Sequence, residues 1–200
     1  MCPMIQNRFR APVTAVIAPL ARGLLKVGLT PNTLTVIGAL GSSFCAVYFF
    51  SQGRFFVGTL VVALFALSDL LDGTMARHSK VGPTKLGALI DSTLDRVSDA
   101  AIFIGVLLYS VGEDLQLVTY LSLIALVTGA LIPYIRAKAE SLGIECSVGI
   151  AERAERLILI LIGTGFYGLG VDASIVVSLG VICVLSLVTV MQRLLVVAKA

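Results

Sequence analysis

From residue 31 onward the chain is a succession of long apolar runs separated by short polar breaks. Examples are TLTVIGALGSSFCAVYFF, LVTYLSLIALVTGALIPY and SIVVSLGVICVLSLVTVM. None alternates apolar and polar positions with a period of two, so a membrane β-barrel is excluded and long helices are predicted. Gly53, Gly82 with Pro83, Gly112, Gly143 and Gly170 punctuate the runs. The breaks predict six spanning helices, at about 31–51, 54–77, 84–110, 115–141, 149–169 and 173–197. Thr30 is placed to cap the first of them and Pro31 to occupy its first turn. Ahead of these, residues 5–27 read IQNRFRAPVTAVIAPLARGLLKV, with Arg8, Arg10, Arg22 and Lys26 interleaved among apolar positions. That pattern predicts an amphipathic helix lying in the membrane interface. The expected architecture is an all-α integral membrane protein: one domain over residues 1–200, with an interfacial helix followed by a six-helix transmembrane bundle.

Composition supports this class. Of 200 residues, 58% are hydrophobic and 14% charged, which excludes an ordinary soluble domain. The net charge of +3 is a matter of topology rather than of nucleic-acid binding. With six spans, both termini and the second-to-third and fourth-to-fifth loops share one side. Arg54 is the one basic residue clearly opposite, where Glu113, Asp114 and Asp172 also lie. The positive-inside rule then places both termini in the cytoplasm. The four cysteines, Cys2, Cys45, Cys146 and Cys183, have no metal-binding spacing and read as unpaired thiols. The opening MCPMIQNRFRAP does not read as a signal peptide, because prolines interrupt it and no compact apolar core follows.

Against this apolar background stand Asp69, Asp72, Asp91 and Asp95, in DLLDGTMARHSKVGPTKLGALIDSTLD. Carboxylates at membrane depth are costly and mark function. The first two are three residues apart and the second two four apart, so each pair shares a helix face. Two antiparallel helices joined by a short turn aim all four into one space. Their oxygens suit Mg²⁺ or Mn²⁺, and a tetrad with room for phosphate suits two ions. Gly73 and Gly87 permit close approach of a ligand or a neighbouring backbone, and Arg77 lies within reach of a phosphate. On spacing alone two other readings stay open: ion pairs with Arg77, Lys85 and Arg96, or a proton or cation path of a small transporter or channel.

The full pattern is Asp69-x2-Asp72-Gly73-x2-Ala76-Arg77-x9-Gly87-x3-Asp91-x3-Asp95, eight positions over 27 residues. It resembles the signature of the CDP-alcohol phosphatidyltransferase family. The resemblance implies a six-span homodimer that transfers a phosphatidyl group from a CDP-linked lipid to an alcohol and releases CMP. It implies metal binding by Asp69, Asp72, Asp91 and Asp95, with Asp95 also the general base. Gly73, Arg77 and Thr84 match positions that contact the nucleotide. Asn32 and Thr35, in the TPN-type segment opening the first span, match further CDP-lipid positions, although capping explains them equally well.

Five further cations gather near the same membrane face: Arg136 and Lys138 in YIRAKAE, Arg153 and Arg156 in AERAER, and Arg193. They suggest a pocket for an anionic second substrate such as a phosphorylated polyol. The alternative is flanking residues that reach lipid headgroups or pair with Glu140, Glu152 and Glu155. PLARGLLKVGLTPNTLTVIG, the aspartate motif, YIRAKAE and AERAERLILIL are similar to the actinobacterial branch of the family, which joins CDP-diacylglycerol to inositol 1-phosphate and makes phosphatidylinositol phosphate. That similarity implies acceptor binding by Arg136, Lys138, Arg153, Arg156 and Arg193, in a bacterial cell membrane. The basic pair of YIRAKAE stands in reverse order to the branch's Lys-then-Arg. The related reaction with glycerol 3-phosphate, giving phosphatidylglycerophosphate, is the enzymatic alternative. His78 reads as a solvated turn residue, and Asp99 as an extension of the acidic face or a partner of Arg96.

Overall fold

The structure, a computed structural model, describes residues 23, 30–67, 75 and 84–200. Among these residues it is wholly helical, with six helices: α1 (Pro31–Ser51), α2 (Phe55–Ala66), α3 (Lys85–Gly112), α4 (Gln116–Ser141), α5 (Arg153–Tyr167) and α6 (Ala173–Lys199). The expected interfacial helix over 5–27 lies outside the described residues apart from Gly23, as do residues 68–74 and 76–77 of the second expected span.

Local chemistry explains most boundaries. At the start of α1, the Thr30 Oγ1 accepts the Thr33 N–H at 3.2 Å, as a cap does. Three of the predicted glycine breaks are left-handed helix stops. Gly53 (φ 71°), Gly143 (φ 79°) and Gly170 (φ 91°) each let the next residue's N–H reach back to the carbonyl five positions earlier, from Arg54 to Phe49, Ile144 to Ala139 and Val171 to Phe166. At the end of α3 the expectation needs correcting. Gly112 is the last helical residue, and the left-handed position is taken by Asp114 at φ 55°. Aspartate is one of the few side chains that tolerate this conformation.

The fifth expected span, 149–169, is also shorter than expected. Helix α5 holds 15 residues, about 22 Å at 1.5 Å per residue. Residues 142–152 stay irregular because their backbone groups are satisfied elsewhere. The Thr189 Oγ1 accepts N–H groups from both Ile150 (3.1 Å) and Ala151 (3.0 Å). Gly149, at φ 148°, brings its backbone so close that a Cβ there would lie 2.7 Å from the Thr189 methyl. By length and composition α1, α4 and α6 are long and apolar enough to cross a membrane. Helix α3 is longer still, with 28 residues, but Lys85, Asp91, Asp95, Arg96 and Asp99 crowd its N-terminal part.

The chain divides into two compact units, residues 1–42 with 63–95 and residues 43–62 with 96–200. Helices α1, α2 and α3 each run from one unit into the other. In the first, α1 approaches α2 at Gly41, where a Cβ would lie 2.6 Å from the Phe65 ring. In the second, α6 packs against α4 and α5. Its core joins Ala46, Phe50, Phe55, Ile102, Val106, Ile160, Leu179 and Ile182. Gly105 brings α3 against the α1 backbone, since a Cβ would sit 2.6 Å from the Ala46 carbonyl oxygen. Such glycine contacts suit helices in lipid, where association relies on close packing more than on expulsion of water. The Phe55 ring stands edge-on to Tyr109 and Tyr167 at 4.8 and 4.9 Å, and the two tyrosine hydroxyls meet at 3.2 Å. Thr59 and Thr164 pair at 2.7 Å. The outward faces carry large apolar side chains, including Phe44, Leu64, Tyr134 and Val184, as a lipid-facing surface requires.

Candidate active site

The first unit brings together the starts of α1 and α3. The Thr84 Oγ1 accepts the Gly87 N–H at 3.0 Å, and its carbonyl accepts the Ala88 N–H at 3.0 Å, so Thr84 caps α3. The Asn32 side chain reaches the same spot. A Cβ on Gly87 would lie 2.8 Å from the Asn32 Oδ1 and 3.0 Å from the Thr84 Oγ1. Two expected nucleotide positions therefore meet over Gly87, where the close neighbours are side-chain oxygens rather than a backbone. Thr35, one turn along α1, is buried and donates to the Pro31 carbonyl at 3.1 Å. Replacing Gly87 by Ala should push Asn32 aside. For the CDP-linked lipid that the motif implies as substrate, KM is expected to rise about tenfold, with little change in that of the alcohol acceptor; unchanged kinetics would show that the Asn32 contact is dispensable.

Helix α3 continues unbroken through Asp91 and Asp95, one and two turns beyond Gly87. Spacing of four keeps both carboxylates on one face. Asp91 is exposed and Asp95 half-buried. Asp69, Asp72, Gly73, Arg77 and His78 lie outside the described residues. Among the described residues no three His, Cys, Asp or Glu side chains converge; the two aspartates on α3 are half of the expected set.

The second unit holds the basic residues, and it sorts them. Arg156 and Arg193 are buried, at 3% and 2% exposure, so neither reaches out to headgroups. The Arg156 Nη2 donates to the Asp99 Oδ2 at 2.8 Å and its Nη1 to the Ala151 carbonyl at 3.0 Å. The Arg153 Nε donates to the other Asp99 oxygen at 3.3 Å. Asp99 thus pairs with two arginines of α5, where the sequence pointed to Arg96 or to the acidic face. Arg193 donates to the carbonyls of Ile132 (2.5 Å) and Val148 (2.8 Å) and pairs with Glu152 at 3.5 Å. It ties the irregular segment before α5 to α4 and α6. Arg136 is exposed and bound to Glu140 at 2.9 Å, matching the flanking-pair reading, and Lys138 is exposed one turn before Leu142.

Two contributors were not legible as such. Thr189 reads in sequence as one more apolar-helix threonine. Asp99 was visible as a surplus acid one turn past Asp95, but its partners lie over fifty residues away.

Comparisons with known proteins agree with the motif. Residues 28–198 match the family model described as CDP-alcohol phosphatidyltransferase. A phosphatidylinositol phosphate synthase of Streptomyces avermitilis is 40% identical over 205 residues, covering 98% of this chain and 83% of that protein. One from Cutibacterium acnes is 43% identical over 204 residues, covering 97% and 98%. The crystal structure of the Mycobacterium tuberculosis phosphatidylinositol phosphate synthase with CDP-DAG bound superposes with a TM-score of 0.87 at 40% identity, covering 92% of this chain and 94% of that one. The same enzyme in complex with manganese and citrate gives 0.86 at 41%, covering 90% and 88%. With the motif, the helical fold and the match over residues 28–198 in agreement, the chain belongs to the CDP-alcohol phosphatidyltransferase family and is a transferase.

Proposed function

We propose that the chain transfers the phosphatidyl group of CDP-diacylglycerol to inositol 1-phosphate, giving phosphatidylinositol phosphate and CMP. The observation that carries this reading is the 0.87 superposition, at 40% identity, on a synthase holding CDP-DAG. The assignment of the acceptor is further supported by the arginines at the start of α5, Arg156 buried and Arg153 half-buried.

Asp69, Asp72, Asp91 and Asp95 would hold two divalent ions, Mg²⁺ or Mn²⁺. The two described acids fit this role, because they present hard oxygen donors from successive turns of one unbroken helix face. When bound, the ions supply positive charge to the diphosphate. Asn32, Thr35, Gly73, Arg77 and Thr84 bind and orient the CDP-lipid, with Asn32 and Thr84 set over Gly87. Asp95 takes the proton of the attacking hydroxyl. The freed oxygen bonds to the β-phosphorus, the bond from that phosphorus to the bridging oxygen breaks, and its electron pair leaves with CMP. Arg136, Lys138, Arg153, Arg156 and Arg193 supply the positive charge that draws in the acceptor's phosphate.

The enzyme is a homodimer in a bacterial cell membrane. Each single-domain protomer has six spans after an N-terminal interfacial helix, and both termini and the active site face the cytoplasm. The test is CMP release by purified protein given CDP-diacylglycerol, a divalent ion and inositol 1-phosphate. Release with glycerol 3-phosphate alone would overturn the acceptor while leaving the reaction class. No release with any acceptor, together with ion flux in vesicles, would overturn both.

A further inference from the structure

We propose that Asp99 is a positioning residue for the acceptor: its carboxylate sets the Arg153 and Arg156 guanidiniums to receive the acceptor's phosphate, a role that rests on the acceptor reading above. Asp99 is outside the eight-position motif, yet it pairs with two arginines of the basic cluster. Each of its oxygens takes a different arginine, Oδ1 from Arg153 at 3.3 Å and Oδ2 from Arg156 at 2.8 Å.

The arginines are three residues apart on the first turn of α5, so their like charges face one another across a short gap. In a low-dielectric setting that repulsion is strong, and a shared carboxylate offsets it. The Arg156 side chain is 4% exposed and that of Asp99 13%, so this bridge is screened little by water. The bridge gathers two guanidiniums at one carboxylate, and guanidinium is the group whose geometry matches a phosphate. One donor also remains unmatched. The Arg156 Nε is buried without a hydrogen-bond partner and lies 3.7 Å from the position of a Cβ on Gly129. A buried N–H of this kind calls for an acceptor. With Nη1 fixed on Ala151 and Nη2 on Asp99, the plane of the guanidinium, and hence the aim of that Nε, is set before a ligand arrives.

A positioning role and a simple counter-charge role give opposite signs. If Asp99 only competed with the phosphate for the arginines, Asp99→Asn would raise the local positive charge and lower the acceptor KM. If it positions them, Asp99→Asn removes the shared charge that aligns the two guanidiniums, and the acceptor KM rises.

The experiment measures CMP release against acceptor and against CDP-diacylglycerol for the parent, Asp99→Asn and Asp99→Glu proteins. The expected result is an acceptor KM raised about tenfold or more in Asp99→Asn, a CDP-diacylglycerol KM within about twofold, and partial recovery in Asp99→Glu. A lowered or unchanged acceptor KM would overturn the proposal, as would equal changes in both KM values with a lower melting temperature. Should Asp99→Asn not fold, Asp99→Glu decides the matter, and a parental acceptor KM there overturns it. The parent is assayed with both inositol 1-phosphate and glycerol 3-phosphate. Use of glycerol 3-phosphate alone sinks the acceptor reading, and the Asp99 comparison is then made with that acceptor, so the two failures are told apart.

Discussion

Asp95→Asn is expected to lower CMP release by about a thousandfold while leaving the melting temperature near the parental value. The expectation follows from the two roles proposed for this one carboxylate. As the proposed general base it would take a proton from the acceptor hydroxyl, and an amide has no lone pair basic enough to do so. As a member of the proposed aspartate set it would also supply negative charge to the divalent ions, and Asn removes that charge. The fold should not suffer. Asp95 is only half-buried, on a helix whose backbone hydrogen bonds do not depend on the side chain. The substitution is nearly isosteric, and Asn is no worse a helix former than Asp. Turnover close to the parental rate would remove Asp95 from the role of base.

The second large effect is expected at Arg193. Its guanidinium gathers the carbonyls of Ile132 and Val148 and the carboxylate of Glu152 at a site 2% exposed to solvent. Arg193→Ala leaves two carbonyls short of a partner in a buried setting. Each costs about 1–3 kcal/mol, and the half-exposed Glu152 pair adds little. The expected total is about 3–5 kcal/mol, seen as a clear fall in melting temperature in detergent. The same change should loosen the segment from Val148 to Glu152, which leads into Arg153 and Arg156. Acceptor KM should therefore rise along with the loss of stability. Arg193→Lys keeps the charge but cannot span three acceptors, and should fall between. A melting temperature unchanged in Arg193→Ala would show that the segment is held by Thr189 alone.

These two residues mark the boundary of what could be read in advance. The placing of Asp95 was legible from spacing, since an interval of four from Asp91 on a continuous helix puts both acids on one face. The glycine stops at 53, 143 and 170 were legible for a related reason, since a left-handed helix end is a local conformation that glycine permits at little cost. The stop at Asp114 was missed because aspartate visits that conformation only in some contexts, and Gly112 was the stronger local signal.

Arg193 was legible as a cation near a membrane face, but not as a clamp. A guanidinium has five donors, and which acceptors it meets depends on the return of α4 and of the 142–152 segment to α6. Ile132 and Val148 are 61 and 45 residues away in sequence and offer only backbone oxygens, which no residue pattern announces. The shortening of α5 has the same origin. Gly149, at φ 148°, is not helical, and the Thr189 hydroxyl takes the N–H groups of Ile150 and Ala151, so the chain stays tied to α6 until α5 begins at Arg153.

The reaction class, the all-helical membrane character and most helix ends were therefore present in the residue order, because each depends on interactions within a few positions along the chain. The partners of Asp99, Arg156 and Arg193 were settled by folding. Charge and burial limit what such groups must find, but long-range packing selects which of several eligible acceptors lies within 3 Å.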